Sequence, residues 1–172
     1  MVDLVKPGKQ YHSSYLKALT EFAKENRSLE YRGLQEGEEF EDYLERVEKF
    51  PEGIGLPDGF VPETVLWLVD QDEFIGEASI RHVLNYSLLR VGGHIGYLIR
   101  PSKRKKGYGT KILKLSLKVA KSLGIKKALL TCDETNIGSA KIIEKNGGIL
   151  EDATDMGQGL PRKLRYWIKL EN

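Results

Sequence analysis

HIGYLIRPSKRKKGYGTKILKLSLKVAKSLG, residues 94–124, decides how this chain folds. It reads as strand, basic glycine turn, helix. The apolar run 95–99 enters Arg100-Pro101, a pair that suits the exit from a strand and cannot continue a helix. Arg104, Lys105, Lys106, Gly107, Tyr108, Gly109 and Thr110 follow, and a strongly periodic helix begins at once. Two glycines one residue apart let backbone amides crowd together and approach a ligand closely. The helix behind them aims its unpaired N–H groups and positive dipole end at the same place. Such a combination, with four cations in front of it, suits a polyphosphate.

Working outward, the helix spans 109–123 with Ile112, Leu113, Leu115, Leu117, Val119, Ala120 and Leu123 on its apolar face, and Gly124 stops it. A buried-type strand (127–132) and a shorter helix (136–146), stopped by Gly147-Gly148, come next. Closing strands at 149–154 and 164–170 flank the glycine-rich DMGQGLPRK. Upstream, 64–69 and 74–81 form a hairpin around the polar turn DQDE, and 82–91 holds at most one helical turn, over Leu84, Leu88 and Leu89. A strand at 2–6, a helix over 10–26 and a second, acidic helix over 38–50 precede the Gly- and Pro-dense loop 51–62. The order β-α-α-β-β-β-α-β-α-β-β predicts an α/β domain with a mixed sheet rather than regular βαβ alternation.

A chain of 172 residues suits one domain with one sizeable core. Its formal charge is only +2, unevenly spread between the acid-rich 30–52 and the basic 103–127. The acid-rich remainder argues against a general nucleic-acid surface, and the basic run lacks interleaved aromatics apart from Tyr108. Cys132 is the only cysteine, so no intrachain disulfide forms, which fits a reducing cytoplasm. The N-terminal stretch lacks the apolar run of a signal peptide, and no segment has the length to span a membrane. No metal is expected: His12, His82 and His94 are far apart and Cys132 has no CxxC partner.

Arg104-Lys105-Lys106-Gly107-Tyr108-Gly109 has the form R-x-x-G-x-G, set between a strand and a helix and trailed by TCDETN and NGG. In this setting it resembles the signature of the GNAT superfamily of N-acetyltransferases. The likeness covers nearly the whole chain, most strongly over 93–148, as a single GNAT domain over 1–172. It implies the acyl-CoA N-acyltransferase fold, a central mixed sheet with two strands splayed apart. It implies acetyl-CoA as co-substrate, its pyrophosphate on the backbone of Arg104, Lys105, Lys106, Gly107, Tyr108, Gly109 and Thr110. Its pantetheine arm would pair with the strand at Tyr97, Leu98 and Ile99, and Asn136 and Ser139 would hold the arm. A backbone N–H of Tyr97 or Leu98 would polarise the thioester carbonyl. The activity implied is direct acetyl transfer to a primary amine of a small molecule or peptide, in a chain free to form a homodimer. The alternative is an acyl-CoA-binding sensor without transferase activity. Many members carry a tyrosine seven residues after the asparagine; here that position is Ile143.

Candidate catalytic groups are Tyr97, His94 and Glu77. His94 and Tyr97 have opposite parity on their strand and face opposite sides. His94 has a side chain suited to a base; its other reading is structural. Glu77 interrupts the apolar strand 74–80, as a solvent-facing residue or as a carboxylate able to take the amine's proton. Tyr108 reads as an apolar plug at the helix start, Cys132 as a core residue, and Asp133 and Glu134 as caps of the helix after Asn136. The acidic second helix is consistent with a cationic acceptor such as a polyamine.

Overall fold

The computed structural model describes residues 1–170. The strands are β1 (Val2–Val5), β2 (Glu63–Asp70), β3 (Glu73–Arg81), β4 (Ile95–Ile99), β5 (Lys127–Asp133), β6 (Ile149–Thr154) and β7 (Lys163–Lys169). The helices are α1 (His12–Lys24), α2 (Phe40–Glu48), α3 (Tyr86–Arg90), α4 (Tyr108–Ser122) and α5 (Ile137–Lys145). The ambiguous stretch before β4 is thus a short helix, begun by Asn85, whose side chain accepts the Leu88 N–H. The order expected from the sequence holds, with α3 added.

The expected single mixed sheet is two antiparallel sheets, ordered β1-β2-β3-β4 and β5-β7-β6. They meet between β4 and β5 at one residue. The His94 N–H donates to the Leu129 carbonyl at 2.7 Å, and His94 Nδ1 accepts the Leu129 N–H at 2.9 Å. Beyond that point the strands part. Gly93 makes the junction possible: its φ is +63°, and a Cβ there would run into the Leu129 carbonyl.

Both faces of the first sheet are covered, so β2 and β3 read as nearly continuous apolar runs rather than alternating ones. On one face lies an aromatic layer in which Tyr15, Phe22, Phe40 and Tyr43 of α1 and α2 pack on Trp67 and Phe74. On the other, α4 places Ile112, Leu113 and Leu117 against β3, β4 and β5. Among the described residues, no helix is long and apolar enough to cross a membrane.

Candidate functional site

The parting of β4 and β5 leaves one edge of β4 without a strand partner. The Arg100 N–H donates to the Ile75 carbonyl on β3, so by strand alternation Leu98 and Gly96 turn their backbone groups to β3 and Tyr97 and Ile99 turn theirs to the gap. Of the two residues expected to offer an N–H there, Tyr97 is the one so oriented. The gap is a groove of about 290 Å³ lined by Gly96, Tyr97, Cys132, Asn136, Ser139 and Ile143, among others. The Tyr97 side chain reaches across it and its hydroxyl meets Ser139 Oγ at 3.1 Å. Burial raises the Tyr97 pKa, so the phenol keeps its proton. Asn136 caps α5, its Oδ1 accepting the Ser139 N–H at 3.1 Å.

The signature turn follows β4 and leads into α4. Gly107 has φ +83° and begins α4 with no side chain capping it, so the first amides of the helix stay available. Lys105 is also left-handed, at φ +60°. The cations divide into two pairs. Lys103 is committed to Glu73, and Arg104 to the Ile99 carbonyl and Glu25. Lys105 and Lys106 are exposed and enter no ion pair among the described residues. Gly107 has open space where a Cβ would go, whereas a Cβ on Gly109 would meet Ile142 Cδ1 at 2.5 Å. Gly109 therefore serves the close packing of α4 on α5. Tyr108 packs beneath the turn as the expected plug.

On the opposite side of β4, facing α1, lies a second cavity of about 230 Å³. Leu29, Arg32, Glu77, Ser79, Gly96 and Leu98 line it. Gly96 and Tyr97 border both cavities, and at Gly96 no side chain stands between them. Glu77 is not solvent-facing: it is 3% exposed. Trp67 Nε1 donates to it at 3.3 Å and Arg32 Nε lies at 3.4 Å. Burial, aided by Glu63, pushes its pKa up to about 7 against the pull of Arg32 and Trp67. Glu77 belongs to a buried polar network. The Tyr31 hydroxyl donates to Glu63 at 2.7 Å and accepts from Arg32 at 3.1 Å. Arg81, 3.9 Å from Glu63, also holds the carbonyls of Gly92 and Gly93. Ser79 Oγ is buried and has no hydrogen-bond partner among the described residues.

The sequence named Glu77 but missed Arg32, Tyr31, Glu63, Ser79 and Arg81. Strand parity held part of the signal. Glu77, Ser79 and Arg81 alternate along β3, opposite Trp67, Val65 and Glu63 of β2. Arg32 and Tyr31 lie on a distant turn that only tertiary packing brings in.

His94 is 8% exposed, and burial together with nearby Arg81 pushes its pKa down to about 4. Neutral and bonded to Leu129, it joins the two sheets. Asp133 and Glu134 do not cap α5; they pair with Lys163 and Arg162, and Asn136 caps instead. Cys132 is buried, as expected of a core residue, at the wall of the groove. The acidic side chains of α2 line neither cavity beside β4, and Glu41 and Glu48 are engaged by Lys9 and Lys6. Among the described residues no group of three or more His, Cys, Asp or Glu is placed to hold a metal ion.

Comparison with known proteins agrees with this architecture. Residues 9–149 match the family described as acetyltransferase (GNAT) domain. No curated protein matches the chain. Among solved structures, yncA from Salmonella typhimurium with its cofactor acetyl-CoA superposes with a TM-score of 0.65 at 13% identity, covering 99% of this chain and 95% of that one. The Salmonella typhimurium acetyltransferase that modifies the N-terminal serine of ribosomal protein L7/L12 gives 0.66 at 15% identity, with coverage of 99% and 95%. The dodecameric spermidine N-acetyltransferase of Vibrio cholerae gives 0.63 at 18%, with coverage of 98% and 94%. At these identities the likeness is one of fold.

Proposed function

This chain belongs to the GNAT acetyltransferase family, and from that premise we propose that it moves an acetyl group from acetyl-CoA to a primary amine seated in the cavity beside Glu77. The whole chain acts as one domain. The observation that carries the reading is the pair of cavities on opposite sides of β4 that share Gly96 and Tyr97 in their walls. One has the features of a donor site, the other those of an acceptor site.

The donor side fits acetyl-CoA. The free backbone edge at Tyr97 and Ile99 suits the amides of an extended arm, as an added strand would. The uncapped start of α4 at Gly107, with Lys105 and Lys106 beside it in no ion pair among the described residues, suits the pyrophosphate. Acetyl-CoA supplies the activated acetyl thioester. The Tyr97 N–H is oriented to polarise its carbonyl. The Tyr97–Ser139 hydroxyl pair lies in the same groove, able to give a proton to the departing thiolate where Ile143 has none to offer. A thiol needs little such help, because its pKa is near 8.5.

On the acceptor side, Glu77 is the group fitted to take the amine's proton, since a base works best with a pKa close to the working pH. His94 is assigned to joining the sheets. No observation supports the alternative of a sensor without transferase activity. The test is to incubate the protein with acetyl-CoA and a panel of amines and to follow free thiol. Amine-dependent thiol release is expected. Absence of release, with acetyl-CoA raising the melting temperature no more than ADP does, would overturn the reading.

A further inference from the structure

We propose that the acceptor is a compact amine bearing a carboxylate beside its nitrogen, an α-amino acid or close analogue, with Ser79 receiving the amine and Arg32 the carboxylate. This rests on the acetyltransferase reading and names its acceptor class.

The argument starts from what the 230 Å³ cavity leaves unsatisfied. Ser79 Oγ is buried on a residue 2% exposed and has no hydrogen-bond partner among the described residues. A buried hydroxyl without a partner is costly, and this one lies opposite Gly96, which lines both cavities. An amine N–H donating to it would stand next to the donor groove and beside Glu77, two residues away on the same face of β3.

Arg32 is the second polar group of this cavity. Its Nη1 donates to the Tyr31 hydroxyl and its Nε faces Glu77, while Nη2 makes no hydrogen bond among the described residues. Its side chain is only 20% exposed, so a bound anion there would be little screened by water. The one carboxylate lining this cavity, Glu77, is already faced by Arg32. No acid of α2 reaches it. Arg32 Nε is thus engaged by Glu77, and Nη2 is the donor of the guanidinium left for a ligand. A polyamine would set a second ammonium against Arg32, whereas a carboxylate would complete it. The walls between are apolar, Leu29 and Leu98, and suit a small aliphatic or aromatic side chain.

The experiment compares each common α-amino acid with the amine left when its carboxylate is removed, leucine beside isoamylamine for instance, and includes spermidine. Free thiol release gives kcat/KM for each. The carboxylate-bearing member of the best pair should lead by about tenfold to a hundredfold, the range for a lost charge-assisted hydrogen bond. In Arg32→Gln that ratio should fall toward one, and Arg32→Lys should restore part of it; Ser79→Ala should lower both members together. A merely structural role for Arg32 would lower both members equally and leave the ratio intact, which overturns the proposal. So does a wild-type protein that uses isoamylamine or spermidine as well as any amino acid, or that uses none of the amino acids while binding acetyl-CoA. Failure to bind acetyl-CoA at all would instead overturn the acetyltransferase reading beneath it.

Discussion

Gly96→Ala tests the proposed passage between the two cavities most directly. Gly96 sits in ordinary strand conformation on β4, paired with Ser79 of β3. An added methyl would stand 3.6 Å from Ser79 Oγ and from Arg81 Nη1, and 3.7 Å from Arg81 Nη2. These are ordinary contacts, so nothing must move. A strand alanine is also about 0.5–1 kcal/mol more favourable than glycine in backbone entropy. The variant should therefore fold at least as well as the wild type. The methyl nevertheless takes up space beside Ser79, where the passage is proposed. Reaction requires the attacking nitrogen and the carbonyl carbon to come within ~3–3.5 Å, and a methyl between them holds other heavy atoms about 3.5–4 Å away from itself. A displacement of about 1 Å costs about a hundredfold in rate, or about 2.7 kcal/mol of barrier. Because the methyl points to the acceptor face, affinity for CoA should stay within a few-fold. The assay is kcat/KM by thiol release, set beside CoA affinity by calorimetry and a melting curve. A folded Gly96→Ala protein with kcat/KM within threefold of wild type would refute the passage. Loss of CoA affinity would show that the face had been assigned wrongly.

Glu77→Gln should lower kcat by about a hundredfold or more, the usual worth of a general base, and should remove from the kcat–pH profile the rise centred near pH 7; a rise that survives the substitution would exclude Glu77. Gly107→Val should weaken CoA binding strongly, because a branched side chain resists the φ of +83° there, whereas Lys105→Ala should change affinity far less; equal effects in a titration would place the grip on side chains instead of amides. His94→Leu should cost about 1–3 kcal/mol by leaving the buried Leu129 N–H without an acceptor. Since folding depresses the His94 pKa from 6.5 to about 4, its contribution is full above pH 6.5 and is lost as pH falls toward 4. Wild-type stability should therefore drop as pH falls from 6.5 to about 4, and more steeply than in the variant; equal slopes in denaturant titrations would count against the assignment.

Much of the architecture was legible because its signals are local. The strand–turn–helix at 94–124, the hairpin before it and the glycine stops after α4 and α5 follow from periodicity and turn chemistry within a dozen residues. Glu77 shows where local reading fails. Alternation along a strand cannot distinguish a solvent face from one roofed by α1 and the turn at Tyr31-Arg32, so the same carboxylate reads as exposed in sequence and is buried in the fold. His94 fails likewise: nothing near it in sequence reveals that Leu129, 35 residues on, takes its Nδ1. Asp133 and Glu134 looked like caps because caps are short acids before helices. Lys163 and Arg162, brought alongside by β7, claim them instead.

The sequence by itself determined the elements of the proposed donor side. A glycine turn with a left-handed backbone, an amphipathic helix behind it and an apolar strand before it are properties of consecutive residues, and they carry their geometry wherever the chain places them. Only the tertiary structure decided the cavity proposed for the acceptor. Burial is what raises the Glu77 pKa, strands Ser79 Oγ without a partner and sets Arg32 facing a cavity. Burial is created by elements far apart in the chain closing over one face of a sheet.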